Sequence, residues 1–182
     1  RIVTFRWPAL DEHKLITRQF DRPVTSYALT PSSRDVYFTA ESEGYERLYS
    51  VRLGGGTVQT VISGTEGSYS NVAIAIDSPK LAVFANWENA SFPGEVALIN
   101  PQTRRSVVLT RFNGRAAEEL DLLPLESFWF TSSRGKRIQS FLVKPPGFDR
   151  SKKYPLFVMM HGGPHSMWRD QFFVRWNYHL LT

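Results

Sequence analysis

Short strands that recur at an offset of about 45 residues, and a downstream apolar run that ends in His-Gly-Gly, predict the fold class of this chain. It is an all-β propeller, present as partial blades, followed by the N-terminal part of an α/β-hydrolase domain. In the first repeat Tyr27-Ala28-Leu29-Thr30-Pro31-Ser32 leads to Val36-Tyr37-Phe38-Thr39, then Arg47-Leu48-Tyr49-Ser50-Val51, then Gly55-Gly56 and residues 58–62. In the second, Val72-Ala73-Ile74-Ala75-Ile76-Asp77-Ser78-Pro79 leads to Leu81-Ala82-Val83-Phe84, then Glu95-Val96-Ala97-Leu98-Ile99, then Pro101 and residues 106–109. Leu29 thus corresponds to Ile74, and Phe38 to Phe84. A four-stranded sheet cannot bury both of its faces alone, so blades stack around a channel, and a ring takes about four to eight of them. The two blades recognisable within residues 1–115 cannot close a ring, and an ordinary β-sandwich is the alternative these residues leave open.

The strands follow in order at residues 26–29, 36–39, 47–52, 58–62, 71–76, 80–85, 95–99 and 106–109, separated by Gly, Pro, Asn, Asp or Ser. A connector spans 116–127, in which Ala116-Ala117-Glu118-Glu119-Leu120 suits one helical turn and Pro124 ends it. Residues 126–131 and 138–143 form a hairpin around the polar loop Ser132-Ser133-Arg134-Gly135-Lys136. Lys144-Pro145-Pro146-Gly147-Phe148-Asp149 is a stiff turn, and Ser151-Lys152-Lys153 a charged loop. Tyr154-Pro155-Leu156-Phe157-Val158-Met159-Met160 reads as a strand covered on both faces, as in a parallel sheet. From about Met167 the pattern turns helical, with Phe172, Phe173, Trp176 and Leu180 on one face and Asp170 in the first turn. The second domain, an incomplete α/β-hydrolase start with its connector, is therefore expected over 116–182.

Composition supports a packed core: 42% of the 182 residues are hydrophobic, 14% aromatic and only 21% charged. The net charge of +5 comes from basic residues scattered along the chain, with no basic stripe interleaved with aromatics. Nucleic acid is accordingly not an expected partner. Cysteine is absent, which excludes disulfides and thiolate metal sites. The apolar run 156–160 is far short of the ~20 residues of a membrane span. The opening Arg-Ile-Val-Thr-Phe begins in mid-pattern and is expected to be an internal start.

The chemistry concentrates in His161-Gly162-Gly163-Pro164. Acyl transfer develops a negative oxygen, and losing one donor aimed at it costs about 2.7–4 kcal/mol. Gly162 and Gly163, just past the apolar run, can present backbone N–H groups there, because no Cβ blocks the approach. Pro164 has no N–H and stiffens the turn. A simple tight turn is the alternative. His161 is not read as a general base, since the catalytic His of α/β-hydrolases follows the nucleophile; it is expected to brace the turn through its ring. His13, His165 and His179 form no set with metal-ligand spacing. The G-x-S-x-G elbow is absent, and Gly64-Thr65-Glu66-Gly67-Ser68 misplaces its serine. Gly54-Gly55-Gly56 lacks a P-loop lysine and reads as a blade turn, while Glu118-Glu119 reads as solvated connector. No metal or cofactor is called for.

Glu126 to Ser133 with Gly135, Lys144-Pro145-Pro146-Gly147-Phe148-Asp149, Lys152-Lys153-Tyr154-Pro155-Leu156 and His161-Gly162-Gly163-Pro164 resemble the prolyl oligopeptidase family of serine peptidases, in its dipeptidyl-peptidase and acylaminoacyl-peptidase branches. Trp168-Arg169-Asp170-Gln171-Phe172 through Arg175-Trp176-Asn177-Tyr178-His179-Leu180 resembles bacterial members. The resemblance is strong over about 120–182 and weaker over the blades. It implies a propeller joined to an α/β-hydrolase domain, and an enzyme that releases N-terminal dipeptides or acylated residues from short peptides. It places an oxyanion donor at the N–H of Gly163 and the catalytic Ser, Asp and His beyond Thr182. The sequence, which runs 19 residues past Gly163, is then expected to be a part of the enzyme, inactive alone and partnered by the missing blades and catalytic half. Some relatives carry a Tyr hydroxyl where His161 stands. A carboxylesterase and a non-catalytic propeller binding module are the rival readings. A homo-oligomer stays open, and a periplasmic or secreted location follows from the resemblance only.

Overall fold

A computed structural model describes residues 1–63, 67–78, 80–163 and 165–182. Pro79 of the second repeat, the Gly64-Thr65-Glu66 part of the misplaced-serine motif and Pro164 of the glycine turn lie outside the described residues.

Residues 1–20 begin with a short antiparallel ribbon, β1 (Val3–Phe5) and β2 (His13–Leu15). Two four-stranded antiparallel meanders follow. The first contains β3 (Val24–Leu29), β4 (Asp35–Ser42), β5 (Tyr45–Arg52) and β6 (Gln59–Ile62), in that order across the sheet. The second contains β7 (Ser68–Ile74), β8 (Val83–Asn89), β9 (Phe92–Asn100) and β10 (Arg105–Val108). This all-antiparallel arrangement is consistent with a partial propeller. The strand expected at 80–85 instead begins at Val83, because its register on β7 starts with the pair Ile74↔Val83.

Side-chain alternation explains the layering. Along β4, Val36, Phe38 and Ala40 face one way and Tyr37 the other. Tyr37 joins Leu48, Val61 and Ile62 in a core shared with Tyr69, Val72, Val83, Ala85, Ala97 and Ile99 of the second sheet. The opposite face packs Phe38, Tyr49 and Val51 under Ile2, Ile16 and Phe20 of the N-terminal segment, with Phe20 edge-on to Phe38 at 5.4 Å. The first sheet is therefore covered on both faces.

A one-turn helix, α1 (Gly114–Glu118), opens the connector. The hairpin β11 (Glu126–Thr131) and β12 (Arg137–Leu142) pairs from Glu126↔Leu142 to Thr131↔Arg137. It leans on the β4–β5 turn: Gln139 Nε2 donates to Glu43 O at 2.9 Å, and Phe141 meets Tyr45 edge-on at 6.3 Å.

Two expectations for the C-terminal third are corrected. Residues 154–160 form no strand, and Leu156, Phe157, Val158 and Met160 are exposed. A buried parallel strand needs neighbours for its backbone groups and cover for its faces, and among the described residues none pairs with it. The helix expected from Met167 is also absent; the only helical piece there is a 3₁₀ turn, Tyr178–Leu181. Trp168, Phe173 and Tyr178 contact one another edge-on at 5.6–5.7 Å, a spacing of five residues that an α-helix does not bring together. The expected apolar face of Phe172, Phe173, Trp176 and Leu180 does not form, and Trp176 and Leu180 are exposed.

Candidate functional site

The glycine turn is held by its own side chains. Ser166 Oγ donates to Gly162 O at 2.6 Å. With that proton committed, Nδ1 of His161 is the donor in its contacts to Gly162 O at 3.2 Å and Ser166 Oγ at 3.3 Å. Gly163 has φ of +71°, a left-handed conformation that a side chain rarely adopts. His161, Gly162 and Gly163 are all exposed, and among the described residues no hydrogen bond engages the N–H of Gly162 or Gly163. Unengaged N–H donors on an exposed, braced turn can bind an anionic oxygen.

The segment that follows is seated on both sheets. Arg169 pairs with the buried Glu46 on β5, and with Glu41 on β4 at 3.7 Å. Asp170 is 9% exposed, and its Oδ1 accepts from Ala90 N–H at 2.7 Å. Tyr178 donates its hydroxyl to Arg169 O at 2.9 Å, and Asn177 caps the 3₁₀ turn by accepting from His179 N–H at 2.9 Å. His179 Nε2 lies 2.6 Å from Leu123 O, which ties this turn to the connector.

Burial dominates the electrostatics here. It pushes the Asp170 carboxyl above the usual carboxylate range, only partly offset by the Ala90 N–H. It pushes Glu88 up as well, against the Phe172 backbone, the Arg169 cation and the Gln171 side chain, with Glu46 adding to the rise. Tyr178 is raised strongly by burial and by the negative charge of Asp170.

The sequence reading placed His161, Gly162 and Gly163 on one turn, and they do lie together. It missed Ser68, Glu46 and Tyr178, and it took Asp170 for a helix-start residue. No local signal marks Ser68, Glu46 or Asp170, because their partners stand far away along the chain, and Tyr178 bonds Arg169 at a separation of 9 residues that no helical spacing announces. Among the described residues no group of three or more His, Cys, Asp or Glu could hold a metal ion, and no helix is long and apolar enough to cross a membrane. The ion pairs Arg111–Glu118 and Arg115–Glu119 are exposed and occupy the Glu118-Glu119 pair.

No family model matches the chain. The fold nevertheless matches that of Pyrococcus horikoshii acylaminoacyl peptidase, with a TM-score of 0.70 and 25% identity over 91% of this chain and 24% of that one. Porphyromonas gingivalis dipeptidyl peptidase 4 shares the fold at a TM-score of 0.63 and 18% identity, covering 89% of this chain and 23% of that one. Similarity of sequence narrows the class. Dipeptidyl-peptidase 5 of Schizosaccharomyces pombe is 31% identical over 167 residues, 90% of this chain and 23% of the relative. Dipeptidyl-peptidase 5 of Porphyromonas gingivalis is 25% identical over 163 residues, again 90% and 23%. The chain is thus similar in sequence to dipeptidyl-peptidase 5 and in fold to acylaminoacyl peptidase, and it spans about a quarter of the length of these relatives.

Proposed function

We propose that this chain is part of a serine peptidase that releases N-terminal dipeptides or acylated residues from short peptides. The observation that carries the reading is the match to dipeptidyl-peptidase 5 across 90% of the chain. On this reading residues 1–115 belong to a propeller, and 116–182 are the connector and the start of the α/β-hydrolase domain. In the complete enzyme a serine attacks the peptide carbonyl, a histidine takes its proton, and the N–H of Gly163 stabilises the oxyanion. On this reading the triad belongs to the rest of the enzyme, outside the quarter of the relatives' length that this chain spans. His161 keeps Gly162 and Gly163 oriented and transfers no proton. A propeller beside such a site restricts entry to short or unstructured peptides.

The test compares dipeptidyl-amide, acyl-amino-acid amide and simple ester substrates on the complete enzyme. Turnover of one of the amides, blocked by a serine-directed phosphonate, is expected. Turnover of esters alone would favour a carboxylesterase, and no turnover of any substrate would favour a binding module. The 182-residue chain by itself is expected to show no turnover.

A further inference from the structure

Among the described residues no hydrogen bond of the exposed glycine turn itself reaches the two sheets, so its position is set by the segment that follows; the role inferred for that segment rests on the peptidase reading. Asp170 stands seven residues after Gly163. Three hydrogen bonds converge on it, from three separate points on the two sheets. Its N–H donates to Gly44 O in the β4–β5 turn at 2.8 Å. Its carbonyl oxygen accepts from Ser68 Oγ, at the first residue of β7, at 2.8 Å. Its carboxylate accepts from the N–H of Ala90, between β8 and β9, at 2.7 Å. Ser68 and Ala90 are buried, so water does not compete for these bonds. Ser68 Oγ also accepts from the N–H of Glu46 at 3.1 Å, and Glu46 in turn holds Arg169.

We propose that Asp170 is a positioning residue: a three-point latch that fixes the segment carrying the Gly163 N–H relative to both meanders. The N–H of Glu46 on β5 already reaches Ser68 Oγ on β7, and Asp170 adds a second bridge that joins Gly44 of the first sheet to Ser68 and Ala90 of the second. It precedes any nucleophile in the family's chain order and its side chain is turned onto Ala90, so it is neither the triad acid nor a substrate contact. The carboxylate acts as an acceptor and not as a charge. Its partner is the neutral N–H of Ala90, and the adjacent Arg169 cation is engaged by Glu46 and Glu41. An asparagine keeps that acceptor oxygen, whereas an alanine removes it.

The experiment uses the complete enzyme with Asp170→Ala, Asp170→Asn and Ser68→Ala. Steady-state kinetics give kcat and KM on the best amide substrate, and amide hydrogen exchange is read at Asp170 and at Ala90. Asp170→Ala is expected to lower kcat about tenfold or more, because small displacements of a positioned group are expensive. KM should change less than about threefold, and exchange of the hydrogen-bonded N–H groups of Asp170 and Ala90 should rise about tenfold. Asp170→Asn is expected to rescue both quantities to within about threefold. Ser68→Ala, which keeps the side chain of Asp170, should loosen the same segment, and it decides the matter if Asp170→Ala does not fold. Unchanged exchange in the alanine variants would overturn the latch, as would an asparagine variant as impaired as the alanine. If the wild-type enzyme turns over no peptide amide, the peptidase reading fails, while the exchange measurements still decide the latch.

Discussion

Glu95 is 2% exposed, and among the described residues no cation pairs with it, yet it sits at the root of the connector. Its carboxylate accepts from the hydroxyl of Thr110, from the N–H of Phe112 at 3.0 Å, and from Asn113 through N–H at 2.7 Å and Nδ2 at 3.3 Å. Desolvation by burial pushes its pKa up, but these hydrogen bonds outweigh it and the carboxyl is held below the usual range. A depressed folded-state pKa means that stability is fully present above the unfolded value and is lost as pH falls through the folded one. Glu95→Gln turns an amide toward these donors and should cost about 1–3 kcal/mol by chemical denaturation. It should also flatten the loss of stability between neutral and acidic pH, and an unaltered acid limb would count against this role. Gly44 is a second residue of this kind. Its φ is +78°, and an added Cβ would stand 2.3 Å from Phe141 Cζ. Gly44→Ala should cost about 1–2 kcal/mol from the left-handed backbone alone, with loosening of the β11–β12 hairpin visible as faster amide exchange. At Gly163, whose φ is +71°, alanine is expected to lower kcat of the complete enzyme by up to about 10²-fold, with a smaller effect on KM.

At the scale of elements, β4 carries the most consequence, because both of its faces are buried. Phe38 is fully buried, edge-on to Phe20 and stacked on Tyr49 at 5.7 Å. Phe38→Ala should destabilise by about 3–5 kcal/mol, read from the denaturant midpoint; a cost under about 1 kcal/mol would mean that the pocket collapses around the gap. Both meanders were legible in the sequence, since short β-branched and aromatic runs between turn residues report the period of two directly. The β11–β12 hairpin was legible for the same reason. Residues 154–160 were misread because an apolar run records only that a segment avoids water, not that strands stand beside it. Residues 167–181 were misread because Phe172, Phe173, Trp176 and Leu180 match helical spacing by position. Their aromatic residues have only modest helix propensity, and the hydrogen bonds of Asp170 to Gly44, Ser68 and Ala90 prevail over it. In the candidate site, the His-Gly-Gly turn could be read because its residues are neighbours in the chain. The seat beneath it could not, since Ser68 and Asp170 are 102 residues apart.

Across the whole molecule, the N-terminal segment closes the first meander and the second meander covers its other side. Deleting residues 1–20 removes Ile2, Ile16 and Phe20 from above Phe38, Tyr49 and Val51. The shortened chain is expected to bind a hydrophobic dye and to melt at a lower temperature, and the absence of both effects would show that this layer is dispensable. By itself the sequence determined the strand repeat, the two glycines at the turn and the likeness to the peptidase family. These are properties of contiguous residues: a period, a conformational allowance, a motif. Tertiary structure alone decided that Asp170 is a buried acceptor instead of a helix-start residue, and that Arg169 meets Glu46. It also decided that the 154–160 run lies exposed. Those outcomes depend on which distant backbone groups face each other once the two sheets have packed, and neither spacing nor composition encodes that.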